Sequence, residues 1–289
     1  MSLITIDKSN CSECGTCAKR CPACFTREAN ITAVRDDGKR CIGCGHCVAL
    51  CPEDAIAHRG LPPGEISSQP CLDTFNASAF NDLIRHRRSH RHFLNRKVSD
   101  DTVRELVETC RYSPTGVNAQ AVAIRVLRTE ERIREVAGSA VAHFMKTIDE
   151  LDREAARISA SGGVISDKLK ADIKRNSRYR KMGASFDRGW DPIFHKAPVV
   201  MIFHAPSDAP TPRDDCTIAA HTAVLHAELL GLGTCYIGLF TRAAAERPTI
   251  HEALRLPKGH RIFATIILGY PSLTFLKVPP RRPIDVSFE

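Results

Sequence analysis

Two copies of one cysteine pattern stand thirty residues apart near the start of the chain, and nothing else in it restricts folding as strongly. Cys11, Cys14, Cys17 and Cys21, followed by Pro22, spell C-x-x-C-x-x-C-x-x-x-C-P. Cys41, Cys44, Cys47 and Cys51, followed by Pro52, repeat it. Self-similarity at a fixed period marks an internal duplication. Three cysteines at steps of three wrap a short loop around one cubic iron–sulfur cluster, while the fourth, carried on a helical turn, points away and ligates the other cluster. Crossed ligation follows: one cluster takes Cys11, Cys14, Cys17 and Cys51, and the second takes Cys41, Cys44, Cys47 and Cys21. Gly15, Gly43 and Gly45 suit a backbone wound so tightly. A structural zinc site would be satisfied by two C-x-x-C pairs, leaving the third cysteine and the Cys-Pro step unexplained.

This stretch resembles the bacterial two-cluster ferredoxins over residues 1 to 60. The resemblance implies two [4Fe–4S] clusters, each carrying one electron at low potential. Of the thirteen cysteines, eight crowd at metal-ligand spacing, which points to a reducing compartment rather than a disulfide framework. The other five, Cys24, Cys71, Cys110, Cys216 and Cys235, scatter and read as small buried hydrophobes.

No apolar run approaches the roughly 18 residues of a membrane span. Met1 to Asn10 lacks the charged-then-apolar layout of a secretory signal. The expected location is cytoplasmic, with no membrane partner. At 289 residues the chain can hold one large core and a smaller module. Gly60 to Pro70, reading GLPPGEISSQP, packs glycine, proline and serine without apolar periodicity and marks an extended connection. The expected organisation is residues 1–60 as the cluster domain, 61–75 as linker and 76–289 as a larger domain.

In that larger domain, Phe80, Leu83 and Ile84 suggest a helix. Ser99, Asp100 and Asp101 ahead of Val103, Leu106, Val107 and Cys110 predict a capped amphipathic one. Val122, Ile124 and Val126 alternate along Ala121 to Leu127. Pro198 to Phe203 and Ile262 to Leu268 are continuous apolar runs, the mark of strands buried on both faces. Ile218, Leu225 and Leu229 fall on one face of a helix that stops at Gly231. Helices mixed with strands predict an α+β domain, a sheet flanked by helices on both sides. Glu131 to Trp190 is long, charged and partly helical, either a solvated excursion with packing aromatics or a lid over a substrate pocket.

Arg85 to His92 reads RHRRSHRH and could by itself grip any phosphate. It ends a predicted helix, precedes Phe93, and is followed by SPTGVNAQ at Ser113 to Gln120. With these segments the sequence resembles the FMN-dependent nitroreductase family over residues 76 to 289. The resemblance implies that Arg87, Arg88, Ser89, Arg91 and Phe93 hold the FMN phosphate and ribityl chain, for which a planar guanidinium is well suited. It also implies that Pro114, Thr115, Asn118 and Gln120 lie along the isoalloxazine from the partner subunit. Ala121 and Val122 depart from the Pro-Trp that ends the family's segment. By the same resemblance, backbone groups of Cys235, Tyr236, Ile237 and Gly238 in GLGTCYIG face the flavin ring, and Arg281 and Arg282 beyond LGYP reach the phosphate. His90, His92 and Tyr236 are candidates for proton delivery.

The formal charge of +8 counts no cofactor, and thiolate-bound clusters and a flavin phosphate both lower it. Nucleic-acid binding is therefore not expected. What the two resemblances imply together is an oxidoreductase that passes electrons from the clusters to FMN and on to a small unsaturated acceptor such as a nitroaromatic, quinone or activated alkene. The implied assembly is a homodimer. The donor is a low-potential electron-donor protein or NAD(P)H. A redox sensor or relay acting on a protein partner is the alternative.

Overall fold

The computed structural model describes residues 2–73 and 75–289. The chain divides into two compact units, Met1–Phe75 with Val117–Ala119, and Asn76–Gly116 with Gln120–Glu289.

In the first unit, β1 (Ile4–Ile6) pairs antiparallel with β4 (Ile56–His58), and β2 (Phe25–Glu28) with β3 (Ile31–Val34). The β2–β3 hairpin turns through Ala29 and Asn30, both at positive φ, the turn whose twist matches that of the flanking strands. Each cysteine repeat runs into a short helix, α1 (Thr16–Arg20) or α2 (His46–Ala49). The helices begin alike because Gly15 and Gly45 precede them in the left-handed region, at φ 74° and 73°, which costs glycine little. Ile4, Ala18, Cys24, Phe25, Cys47, Val48 and Ile56 form the core of this unit. Between β4 and the next helix lies a 3₁₀ turn at Pro63–Glu65.

The second unit is built on four strands, β5 (Ala123–Leu127), β6 (Val199–Pro206), β7 (Gly233–Tyr236) and β8 (His260–Gly269), in the order β5-β6-β8-β7 with antiparallel neighbours throughout. The apolar run of β6 divides by parity. Val200 and Ile202 enter one core cluster, and Val199, Met201 and Phe203 enter the other. On the first face lie α5 (Glu130–Ala160), α7 (Tyr179–Asp187), α9 (Gly238–Glu246) and α10 (Pro248–Ala253). On the second lie α4 (Asp100–Arg111) and α8 (Pro212–Leu229). The remaining helices are α3 (Ala77–His86), capped by Asn76, and α6 (Asp167–Asn176), capped by Ser166. Among the described residues no helix is long and apolar enough to cross a membrane.

Three local expectations need correction. The helix over Ile218, Leu225 and Leu229 forms, but that face is not the buried one. Cys216, Ala219, Ala220, Ala223, Val224 and Ala227 meet the sheet instead, and Leu229 is 66% exposed. Small side chains let α8 lie close on β6 and β8, which a ranking by hydrophobicity overlooks. The Glu131 to Trp190 stretch is no solvated excursion, since α5 buries Ile133, Val136, Phe144 and Ile148, with Phe144 stacked on Tyr179 at 4.5 Å. Cys71 is exposed, whereas Cys24, Cys110, Cys216 and Cys235 are buried as expected.

On β6, His204 is buried with Nδ1 2.9 Å from Nδ1 of His260. Burial, with His260, Arg125 and His251 adding to it, pushes its pKa down to about 4. The unfolded chain therefore takes up this proton first on acidification. Stability falls as pH drops from about 6.5 to 4 by up to roughly 3 kcal/mol, and no further loss comes from this group below that window. Urea unfolding across this range should show the slope, and His204→Asn should flatten it.

Candidate functional site

Two hollows in the first unit are lined by the repeated cysteines. Cys11, Cys14, Cys17 and Cys51 line one, with Ile6, Thr32 and Ile56 in its wall. Cys21, Cys41, Cys44 and Cys47 line the other, with Cys24 and His58. Each hollow thus draws three cysteines from one repeat and the fourth from the other. Among the described residues no three His, Cys, Asp or Glu side chains converge as the ligands of a single metal ion. Several sulfurs meet hydrogen-bond donors: Ala55 N–H donates to Cys51 Sγ at 3.3 Å, and Gly43 N–H to Cys41 Sγ at 3.4 Å. Burial pushes the Cys47 thiol up to about 11 and the Cys24 thiol up to about 12. A metal binding at Cys47 must therefore displace a firmly held proton.

In the second unit, α3 ends at His86 and the chain turns extended at Arg87. The segment that follows is fastened along the sheet. Ser89 bridges Thr234, His90 N–H donates to the Thr234 carbonyl at 2.8 Å, Leu94 N–H donates to the Tyr270 carbonyl at 2.8 Å, and Ser272 N–H donates to the His92 carbonyl at 3.1 Å. Gly233 makes this approach possible, because a Cβ there would lie 2.5 Å from the His90 ring.

Fastened this way, the basic run meets the far end of the chain. Arg85, Arg87, Arg88, His221 and Arg281 line a common hollow with Ile84, Val278, Pro279 and Pro280. Among the described residues no carboxylate lines it, so the field there favours an anion. Arg88 is buried and donates through Nη2 to the Arg85 carbonyl. Arg282 is not part of this lining. Ser89 and Arg91 reach the buried Cys235 thiol, whose pKa burial raises. Tyr236 donates its hydroxyl to the Thr217 carbonyl at 3.4 Å. Ile237 N–H is already committed to the Thr265 carbonyl at 2.8 Å. Gly238 opens α9, whose N-terminus has no side-chain cap, leaving N–H groups of its first turn without an intrahelical partner.

The Pro114–Gln120 segment lies elsewhere. Thr115 and Gln120 line a separate hollow with Cys110, Ser113, Val122 and Ile124, and Gln120 N–H donates to Thr115 Oγ1 at 3.0 Å. Val117, Asn118 and Gln120 all have positive φ, 48°, 56° and 48°. For a β-branched residue such as Val117 this is a strained conformation, the kind that persists only when its surroundings enforce it. Asp215 supplies part of that enforcement, since its Oδ1 accepts from Gly116 N–H at 3.0 Å and from Thr211 Oγ1 at 2.8 Å. Asn118 itself is counted with the first unit.

Of the proton-delivery candidates, His90 is packed edge-on to Phe275 with its pKa lowered by burial, and His92 is exposed. Asp215, His221 and His58 drew no attention as sequence, for their partners lie far along the chain. An acidic residue in the first turn of a helix that begins with proline is the one signal that bears on Asp215.

The profile of the Nitroreductase family matches residues 84–270, and that of the 4Fe-4S dicluster domain matches residues 10–56. The chain is 27% identical over 206 residues to the chloronitrobenzene nitroreductase of Comamonas testosteroni, a span of 66% of this chain and 86% of that one. Its fold is similar to that of a nitroreductase with bound FMN from Bacteroides fragilis (TM-score 0.55, 19% identity, 72% of this chain and 97% of that one). It is also similar to one with bound FMN from Desulfitobacterium hafniense (TM-score 0.52, 22% identity, 72% and 96%). The chain belongs to the nitroreductase family and is an FMN-dependent oxidoreductase with an N-terminal ferredoxin-like iron–sulfur domain.

The fastening of Ser89 and His90 to β7 rests on a glycine. Gly233→Ala should destabilise the second unit by about 1–3 kcal/mol through overpacking against His90, read as a lowered Tm. Gly238→Ala, where the added Cβ meets nothing within 4 Å, should change Tm far less.

Proposed function

We propose, with membership of the nitroreductase family as premise, that this chain passes electrons from two [4Fe–4S] clusters to FMN and on to a small unsaturated acceptor such as a nitroaromatic, quinone or activated alkene. The observation that carries the reading is the pairing, in one chain, of two hollows each lined by four repeat cysteines with a carboxylate-free hollow lined by four arginines. When bound, the clusters supply single electrons at low potential and FMN supplies hydride or electron pairs.

The residues fit both groups. Four thiols lining one hollow, with a backbone N–H donating to a sulfur in each, make the donor set of an iron–sulfur cluster. Cys11, Cys14, Cys17 and Cys51 would hold one cluster, and Cys21, Cys41, Cys44 and Cys47 the other. Arg87, Arg88 and Arg281 would hold the FMN phosphate. Ser89 and Arg91 would reach the ribityl chain, and Cys235 to Gly238 would border the ring, with the first-turn N–H groups of α9 supplying donors. Arg282 has weaker support than Arg281, because it stays outside the hollow.

Pro114, Thr115, Asn118 and Gln120 would face the flavin of a partner subunit in a homodimer. Support for that arrangement comes from the separation of Thr115 and Gln120 from the arginine hollow within one chain, and from the apolar side chains left exposed on α3 and α8: Phe80, Ile84, Ile218 and Leu229. Asp215 would keep the strained loop in shape for this task. The first 75 residues would form the cluster domain and its linker, and the remainder the flavin domain. NAD(P)H or a low-potential donor protein would supply the electrons.

Removing one arginine from the phosphate hollow removes a charge-assisted hydrogen bond, a loss of about 1.5–3 kcal/mol. Arg281→Ala and Arg87→Ala should each weaken FMN binding roughly 10- to 100-fold, measured by flavin fluorescence on apoprotein. Unchanged affinity in both would place the phosphate elsewhere. Cys14→Ser should abolish flavin reduction by a low-potential one-electron donor in an anaerobic absorbance titration while leaving FMN affinity intact. If the rate is unaffected, or if NADH reduces the flavin first and the clusters only afterwards, electrons do not enter through the cysteine-rich domain.

A further inference from the structure

The two cysteine-lined hollows are chemically unequal. Among the described residues no charged side chain lines the hollow of Cys11, Cys14, Cys17 and Cys51, where the neighbours are Ile6, Ser12, Gly15, Thr16, Thr32 and Ile56. The hollow of Cys21, Cys41, Cys44 and Cys47 is lined by Arg20, Arg40, His46 and His58. His58 is buried, and its tautomer follows from its contacts: Gly60 N–H donates to Nδ1 at 3.0 Å, so the ring proton sits on Nε2, 3.3 Å from Cys41 Sγ. The ring is therefore a donor to sulfur while neutral. Arg20 reaches the same rim, its Nη2 donating to His46 Nδ1 at 3.1 Å.

Two charges outside the linings oppose the contrast in part, Asp36 on the side of Cys41 and Arg27 on the side of Cys14, and neither lines a hollow. Asp36 is buried, and its carboxylate accepts from Leu3 N–H at 3.3 Å and from the Arg40 and Cys41 backbone, which keeps its pKa low. Arg27 donates to the carbonyls of Glu13 and Cys14, and the Glu13 carboxylate is paired with Lys8.

Reduction of a cluster adds a negative charge, which hydrogen-bond donors on the ligand sulfurs and nearby cations stabilise. Building on the two-cluster reading, we propose that the cluster held by Cys21, Cys41, Cys44 and Cys47 has the higher reduction potential, and that His58 and Arg20 set the gap. A single electron delivered by an external low-potential one-electron reductant then resides on that cluster, and the cluster of Cys11, Cys14, Cys17 and Cys51 is reduced second.

The test is an anaerobic redox titration of the loaded full-length protein at fixed pH, monitored by electron paramagnetic resonance, with iron and sulfide content determined beforehand. Two resolved one-electron steps are expected. His58→Leu and Arg20→Gln should each move the upper step to more negative potential and leave the lower one in place. His58→Gln, which retains an N–H near Cys41, should recover part of the His58→Leu shift. Arg20 is exposed, so Arg20→Gln remains informative if His58→Leu does not fold. A single step in the wild type with both clusters loaded, or a shift of the lower step in these variants, overturns the ordering alone. Iron and sulfide sufficient for only one cluster overturns the two-cluster reading and the ordering with it.

Discussion

Burial of β6 and β8 on both faces is the constraint on which the flavin domain depends. A strand with apolar side chains pointing both ways needs a cover on each side, and the sheet gains one from α5, α7, α9 and α10 and the other from α4 and α8. The hydrophobic effect supplies the drive, at about 25 cal/mol per Å² of apolar surface removed from water. The geometry that results serves the site. The edge strand β7 is held in register against β8, and the segment from Ser89 to Leu94 is then fastened to β7 and to the chain leaving β8. Backbone hydrogen bonds of His90, Leu94 and Ser272 thus set the course of the chain that carries Arg91 and follows Arg87 and Arg88.

The cysteine-rich domain obeys a different logic. Its core is small, and its two helices have only five and four residues, too short to be stable by themselves. The loops ahead of them take their shape from left-handed glycines and from N–H groups turned toward sulfur. Where such loops bind metal, the binding free energy adds to folding.

How much of this could be read in the sequence depended on the range of the interaction. The cysteine repeats were legible because spacing alone encodes which thiols share a loop. The runs at Pro198 to Phe203 and Ile262 to Leu268 were legible because two-sided burial leaves no polar alternation. The Ser99 cap was legible because cap and acceptor lie within one turn, and the structure has Ser99 accepting from Thr102 N–H at 3.0 Å. The strand order was not legible, since it is decided by which faces meet in space. Nor was the buried face of α8, where alanines pack because they are small. Asp215 binds Gly116 across 99 residues of chain and Thr109 meets His226 across 117, and no local pattern announces either.

The pairing of β6 with β8 contains one irregularity. Phe203 faces Ala264, but the next pair is His204 with Ile262, so Phe263 is a supernumerary residue in the ladder. Because of it Ile262 belongs to one core cluster while Ala264 belongs to the other, although residues two apart in a regular strand share a face. The bulge acts as a phase shifter for the strand. On its N-terminal side the reading frame of inward and outward positions is inverted relative to its C-terminal side. Were the ladder regular with Phe263 opposite His204, Ile262 would share the face of Ala264 and turn toward the wrong core. The face that each residue of β8 presents is therefore set by the position of Phe263 as much as by the alternation of the strand itself.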